Sequence, residues 1–144
     1  MSRRKSSEKK STVRVLAVED NLGDLVLVRE YLKAAALGEY EVNVAGTLGR
    51  AMGALEKSEQ DVILLDLNLP DSQGFETFTK LYARFPKVPI VIITGLKDED
   101  TATRAINEGA QDFLFKDDMT SSSLGHAIVY AIERKKIELE QMRA

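Results

Sequence analysis

The sequence predicts an α/β fold, a doubly wound five-stranded parallel sheet with helices on both faces. Three observations carry that expectation. Short β-rich runs alternate with longer helical patterns five times along the chain. Two of the runs, Val62–Asp66 and Val88–Thr94, are apolar without alternation, as strands covered on both faces must be. The connections are short, which with right-handed crossovers leaves few topologies. For five such strands the common order is 2-1-3-4-5, with a switch point between strands one and three.

Val13–Val18 (VRVLAV) reads as the first strand. Behind a capping Asn21, Leu22–Ala36 carries Leu22, Leu25, Val26, Val28, Tyr31 and Leu32 as a helical stripe. Tyr40–Ala45 is the second strand. Thr47 caps a helix over Leu48–Lys57, with Leu48, Ala51, Met52 and Leu55 on one side. After the third strand, a helix over Gly74–Phe85 is closed by Pro86. The fourth strand, Val88–Thr94, takes Pro89 near its start, where a missing donor is tolerated. Asp98–Glu108 is helical with Gly109 as its stop, and Asp112–Phe115 is the fifth strand. The last helix begins near Ser121–Ser123 and extends toward the C-terminus.

Composition narrows the chemistry. In 144 residues, 44% are apolar and 30% charged, enough for one domain with a real core. With no cysteine, disulfides, iron–sulfur clusters and thiolate zinc sites are excluded, in keeping with a reducing, cytoplasmic setting. The single histidine, His126, leaves no material for a histidine metal site or a Ser-His-Asp triad and reads as a surface residue. No apolar run spans a bilayer, so no membrane role is expected. Residues 1–12 form a basic, serine-rich arm of net charge +4, read as solvated disorder. The remainder holds fifteen basic against twenty-two acidic residues, a net of −7, the wrong sign for direct nucleic-acid binding.

Ligands of such sheets bind outside the carboxyl ends of the strands, at the switch point. Strand one ends in Glu19 and Asp20, strand three in Asp66, strand four in Thr94 and strand five at Lys116. Three carboxylates brought together must raise a pKa or bind a cation. Oxygen donors without Cys or His favour a hard ion, Mg²⁺ or Mn²⁺. Lys116 adds a positive charge to the same edge, as phosphoryl groups require. No glycine-rich nucleotide loop follows strand one, so the phosphoryl group must arrive on something else, and a carboxylate is the natural acceptor.

At these positions the chain resembles the receiver (response regulator) domain of two-component signalling, from about Val13 to about Arg134. The resemblance rests on Glu19-Asp20-Asn21, on Asp66 in ILLDLNLPDSQGFE, on Thr94-Gly95 after PIVII, and on Gly109-Ala110 leading through DFLFK to Lys116. It implies a CheY-like, flavodoxin-like three-layer sandwich in a His-to-Asp phosphorelay. It further implies Asp66 as phosphoacceptor and Mg²⁺ held by Glu19, Asp20, Asp66 and the backbone carbonyl of Asn68. Lys116 and Thr94 would contact the acyl phosphate, and Phe113 would be the rotating switch aromatic. Pro70 and Gly74 would shape the loop after the acceptor. The implied partner is a sensor histidine kinase or phosphotransfer protein. A homodimer through the fourth helix, fifth strand and fifth helix is a further candidate. The domain would catalyse only its own phosphorylation and dephosphorylation.

Two departures stand out. The family usually has proline after the lysine, where this chain has Asp117-Asp118, and the acidic pair is Glu-Asp rather than Asp-Asp. A Mg²⁺-dependent phosphatase with an aspartyl nucleophile would carry a second acid where Asn68 stands. A pseudo-receiver would lack the acceptor or the lysine. A flavin binder would want a Ser/Thr/Gly-rich loop where DNLGD is found. The last helix, about 33 Å long from residue 123 to the end, exceeds strands of about 17 Å. Residues 135–144 are therefore expected to project, with Ile128, Ile132, Leu139 and Met142 as a partial seam interrupted by Lys135. Such a tail suits either a linker to an output module or a frayed end, and the alternative to a receiver on its own is a piece of a hybrid histidine kinase or multidomain regulator.

Overall fold

The computed structural model describes residues 12–95 and 98–143; the basic arm, apart from Thr12, lies outside the described residues. Five parallel strands form the central sheet: β1 (Val13–Val18), β2 (Tyr40–Ala45), β3 (Val62–Leu65), β6 (Ile90–Thr94) and β7 (Asp112–Phe115). Their order, β2-β1-β3-β6-β7, is the expected one once a small hairpin, β4 (Asn68–Leu69) with β5 (Ser72–Gln73), is set apart. That hairpin was not expected, because two residues per strand carry no readable periodicity.

Five helices fill the connections: α1 (Leu22–Ala34), α2 (Leu48–Lys57), α3 (Phe75–Arg84), α4 (Glu99–Asn107) and α5 (Ser121–Arg143). Asn21 and Thr47 cap α1 and α2 as expected, accepting from Asp24 N–H and Arg50 N–H. Asp98 does the same for α4 through Asp100 and Thr101 N–H. Gly74 opens α3 at φ 80°, a conformation that only glycine adopts without strain. Gly109 stops α4 at φ 126°, pressed against Tyr82, where a Cβ would meet ring carbons at 2.6 and 2.8 Å.

All four residues of β3 and all five of β6 are buried, which explains their unbroken apolar text. Alternate residues face opposite layers. Leu16, Val18, Ile63, Leu65 and Ile92 pack with Phe78 and Leu81 of α3 and with α2 and α4. Val15, Val62, Leu64, Val91 and Ile93 pack with Val28 and Leu32 of α1 and with Leu124 and Ile128 of α5. Each such large side chain contributes about 1.5–3 kcal/mol by leaving water.

The first helix is narrower inside than its sequence suggests. Leu25, Val28 and Leu32 face the sheet, whereas Leu22 and Val26 are 78% and 59% exposed. The tail also differs. Ile128 belongs to the core rather than to a seam, and Lys135 is buried on the body, donating from Nζ to the Pro86 carbonyl at 3.1 Å. Gln111 Nε2 reaches Glu138 at 3.4 Å. The lysine read as a seam interruption is thus an anchor, its stem lying over Tyr82 with Nζ 5.5 Å from the ring centroid. Projection does not begin at residue 135 but past Glu138, where Glu140 to Arg143 are exposed.

Candidate functional site

Strand register assembles the site. Val18 pairs with Leu65, so Glu19 and Asp66 each stand one step beyond the last pair of neighbouring strands. Thr94 pairs with Phe115, which brings Lys116 to the same edge. The ladder continues for one residue into the site: Asp66 N–H donates to Val18 at 3.0 Å and Glu19 N–H to Ala45 at 3.0 Å. The backbone of both acids is therefore fixed by the sheet itself.

Glu19, Asp20 and Asp66 each place a carboxylate oxygen within 4.8 Å of the others. Glu19 and Asp66 are buried at 6% exposure, while Asp20 is exposed. Three oxygens at this spacing, without Cys or His among them, fit a hard divalent cation. They line a cleft of about 460 Å³ with Asn21, Asp24, Asn68, Pro70 and Lys116. Asn68 N–H donates to Asp66 Oδ1 at 3.2 Å, and Asn21 N–H donates to Glu19 Oε2 at 3.2 Å.

Lys116 Nζ lies 2.5 Å from Asp24 Oδ2, 2.7 Å from Glu19 Oε1 and 3.2 Å from Asp66 Oδ2. Burial disfavours its charge, but the hydrogen bonds to Asp24 and Glu19 and the Asp66 charge more than offset this and hold the amine above the usual lysine range. Burial pushes the Glu19 carboxyl up to about 7; the Lys116 hydrogen bond opposes this, and the neighbouring Asp66 adds to it.

Thr94 is buried at 2% exposure at the end of β6. It lines a cavity of about 220 Å³ with Phe113, Leu67, Phe75 and Thr101. Phe113 is half-buried, its ring 5.4 Å from that of Phe115. A buried hydroxyl at the end of β6, an adjoining cavity and a partly exposed aromatic are therefore contiguous. His126 is exposed on α5, away from the cleft.

Two acids were missed in the sequence. Asp24 sits in the first turn of α1, whose start opens on the same edge; its place just after the Asn21 cap was the available signal. Asp71, in the loop after Asp66, accepts from Leu48 and Gly49 N–H at 2.8 and 3.0 Å. It ties the loop after Asp66 to the start of α2, and those bonds lower its pKa.

Comparison with known proteins points the same way. The family model described as response regulator receiver domain matches residues 15–128. The regulatory protein LuxO of Vibrio cholerae is 39% identical over 99 residues, 69% of this chain and 21% of LuxO. The cell cycle response regulator CtrA of Brucella ovis is 34% identical over 104 residues, 72% of this chain and 44% of CtrA. Among solved structures, the signal receiver domain of a LuxO repressor protein from Vibrio parahaemolyticus superposes with TM-score 0.76 at 29% identity, covering 88% of this chain and 95% of that one. A receiver domain protein from Clostridium thermocellum gives TM-score 0.74 at 27% identity, over 87% and 98% of the two chains. The chain spans about a fifth of the LuxO relatives and under half of CtrA.

Proposed function

Because the chain belongs to the response regulator receiver domain family, we propose that Asp66 accepts a phosphoryl group from a phosphohistidine on a sensor histidine kinase or phosphotransfer protein. An Asp66 carboxylate oxygen attacks phosphorus, the P–N bond breaks, and the imidazole leaves with its electron pair. The observation carrying this reading is the placement of Asp66: buried at a strand end, 3.2 Å from the Lys116 ammonium and beside the Glu19 and Asp20 carboxylates.

Glu19, Asp20 and Asp66, with the Asn68 backbone carbonyl, would hold Mg²⁺ or Mn²⁺. The ion supplies positive charge to set against the phosphoryl oxygens. Lys116 donates to those oxygens from the other side, and Thr94 gives its hydroxyl to the acyl phosphate. Thr94 then moves toward the phosphoryl group, and Phe113 turns into the adjoining cavity. The altered face of α4, β7 and α5 changes partner binding, including a homodimer through that face. The domain turns over no outside substrate, acting only on its own phosphorylation and dephosphorylation.

Among the described residues no helix is long and apolar enough to cross a membrane, and the reading places the domain in the cytoplasm. We assign residues 13–134 to the receiver. The helix end within residues 135–144 serves as a linker, its free part following Glu138. Coverage of a fifth of LuxO favours a regulator with a further output module. Incubation with acetyl phosphate and Mg²⁺ tests the function: a hydroxylamine-labile phosphate forms, and chelator or the Glu19→Gln/Asp20→Asn pair prevents it. Labelling that survives both overturns the reading.

A further inference from the structure

Asp24 is a fourth carboxylate in the cleft, with no role in the scheme above. Its contact with the Lys116 ammonium, at 2.5 Å, is shorter than either the Glu19 or the Asp66 contact. The two residues are 92 positions apart, so this contact is a feature of the tertiary fold.

A lysine ammonium has three N–H donors on a flexible four-carbon stem. Here the three acceptors come from three elements: Glu19 after β1, Asp24 in α1 and Asp66 after β3. Three such directions fix one position for Nζ. Asp24 is itself held, because its backbone N–H donates to the Asn21 side chain at 2.9 Å. Asn21 N–H in turn donates to Glu19 Oε2 at 3.2 Å. Glu19, Asn21, Asp24 and Lys116 therefore form a closed circuit around one wall of the cleft. The chain next to Lys116 enters a 3₁₀ turn, Lys116–Asp118, with Asp117 exposed where the family usually has proline.

We propose that Asp24 is a positioning residue for Lys116, holding the ammonium from the α1 side so that it meets the phosphoryl group on Asp66 already aimed. When the phosphoryl group arrives, Lys116 turns its Asp66-facing donor to a phosphoryl oxygen and keeps Asp24 as its pivot. The inference rests on Asp66 being the phosphoacceptor.

Phosphorylation by acetyl phosphate at saturating Mg²⁺, followed by intact mass, tests it in the whole chain. Asp24→Ala should slow labelling by about tenfold while Mg²⁺ affinity stays within about twofold, as expected for one displaced charge-assisted donor. Asp24→Glu, which keeps the charge, should recover most of the rate. In a Lys116→Ala background, Asp24→Ala should cost nothing further, because both changes remove one interaction. An Asp24→Ala rate equal to or above the parent, or a full tenfold loss persisting without Lys116, overturns the proposal alone. A parent protein that takes no label overturns the phosphoacceptor reading and this inference with it.

Discussion

Lys116 Nζ stands 3.2 Å from Asp66 Oδ2, joining the end of β7 to the end of β3 across fifty residues of sequence. The two strands are not paired with each other; β6 lies between them. The contact exists because the strands stop on one edge and the polar residue follows at once in both. Removing the amine leaves no core cavity, since the side chain fills part of a cleft. Lys116→Ala should keep the cooperative fold and slow phosphorylation by about 10²-fold, the usual loss for one donor to developing negative charge. Circular dichroism and labelling kinetics check this. A collapsed fold with normal labelling would make the lysine structural.

Ion binding should depend on pH near neutrality. The Glu19 carboxyl, pushed up to about 7, holds a proton that a cation must displace. Mg²⁺ affinity should therefore rise between about pH 6 and 8, with proton release measurable by calorimetry in two buffers. The ion-free protein should show the opposite trend. Between the unfolded value of 4.5 and about 7, the folded state binds the extra proton, so stability falls as pH rises through that window. Denaturant melts in chelator give the sign. A stability that climbs through the same window contradicts the burial account of Glu19.

Asp71 should matter for stability rather than chemistry. Asp71→Ala removes the acceptor for two N–H groups at the start of α2, a loss of about 1 kcal/mol by analogy with helix caps. Its folded pKa is lowered, so this stabilisation is present above the usual 3.8 and is lost as pH falls through the folded value. Urea melts of both proteins at neutral and acid pH should converge at the acid end.

Gly109→Ala should be among the costlier single-methyl changes. The new Cβ would lie 2.6 Å from a Tyr82 ring carbon, and φ 126° is foreign to alanine. Tyr82 cannot withdraw freely, since its ring stacks on Phe78 at 5.4 Å. A loss of about 2 kcal/mol is expected. If the loss is steric, Tyr82→Ala in the same chain should recover part of it.

The sequence made the sheet legible because β3 and β6 are buried on both faces, so their composition reports burial directly. Glu19, Asp66 and Lys116 were legible for a simpler reason: each comes directly after a strand, and Thr94 closes one, so finding the strand's end finds the residue. Helix faces were less so. Leu22 and Val26 match the helical period yet point outward, because α1 buries a stripe narrower than its apolar text. Lys135 failed in the other direction, since a long stem can lie over Tyr82 and deliver its ammonium to a backbone carbonyl. The partners of Asp24 and Asp71 were hidden because they lie 92 and 23 residues away; the local text marked Asp24 only as an acid in the first turn of a helix.

In the proposed function Asp66 alone carries the phosphoryl group. Intact mass after incubation with acetyl phosphate and Mg²⁺, for the parent and for Asp66→Asn, tests it most directly. One hydroxylamine-labile phosphoryl adduct is expected on the parent and none on Asp66→Asn, with both proteins equally folded. An adduct of the same yield on Asp66→Asn would contradict it.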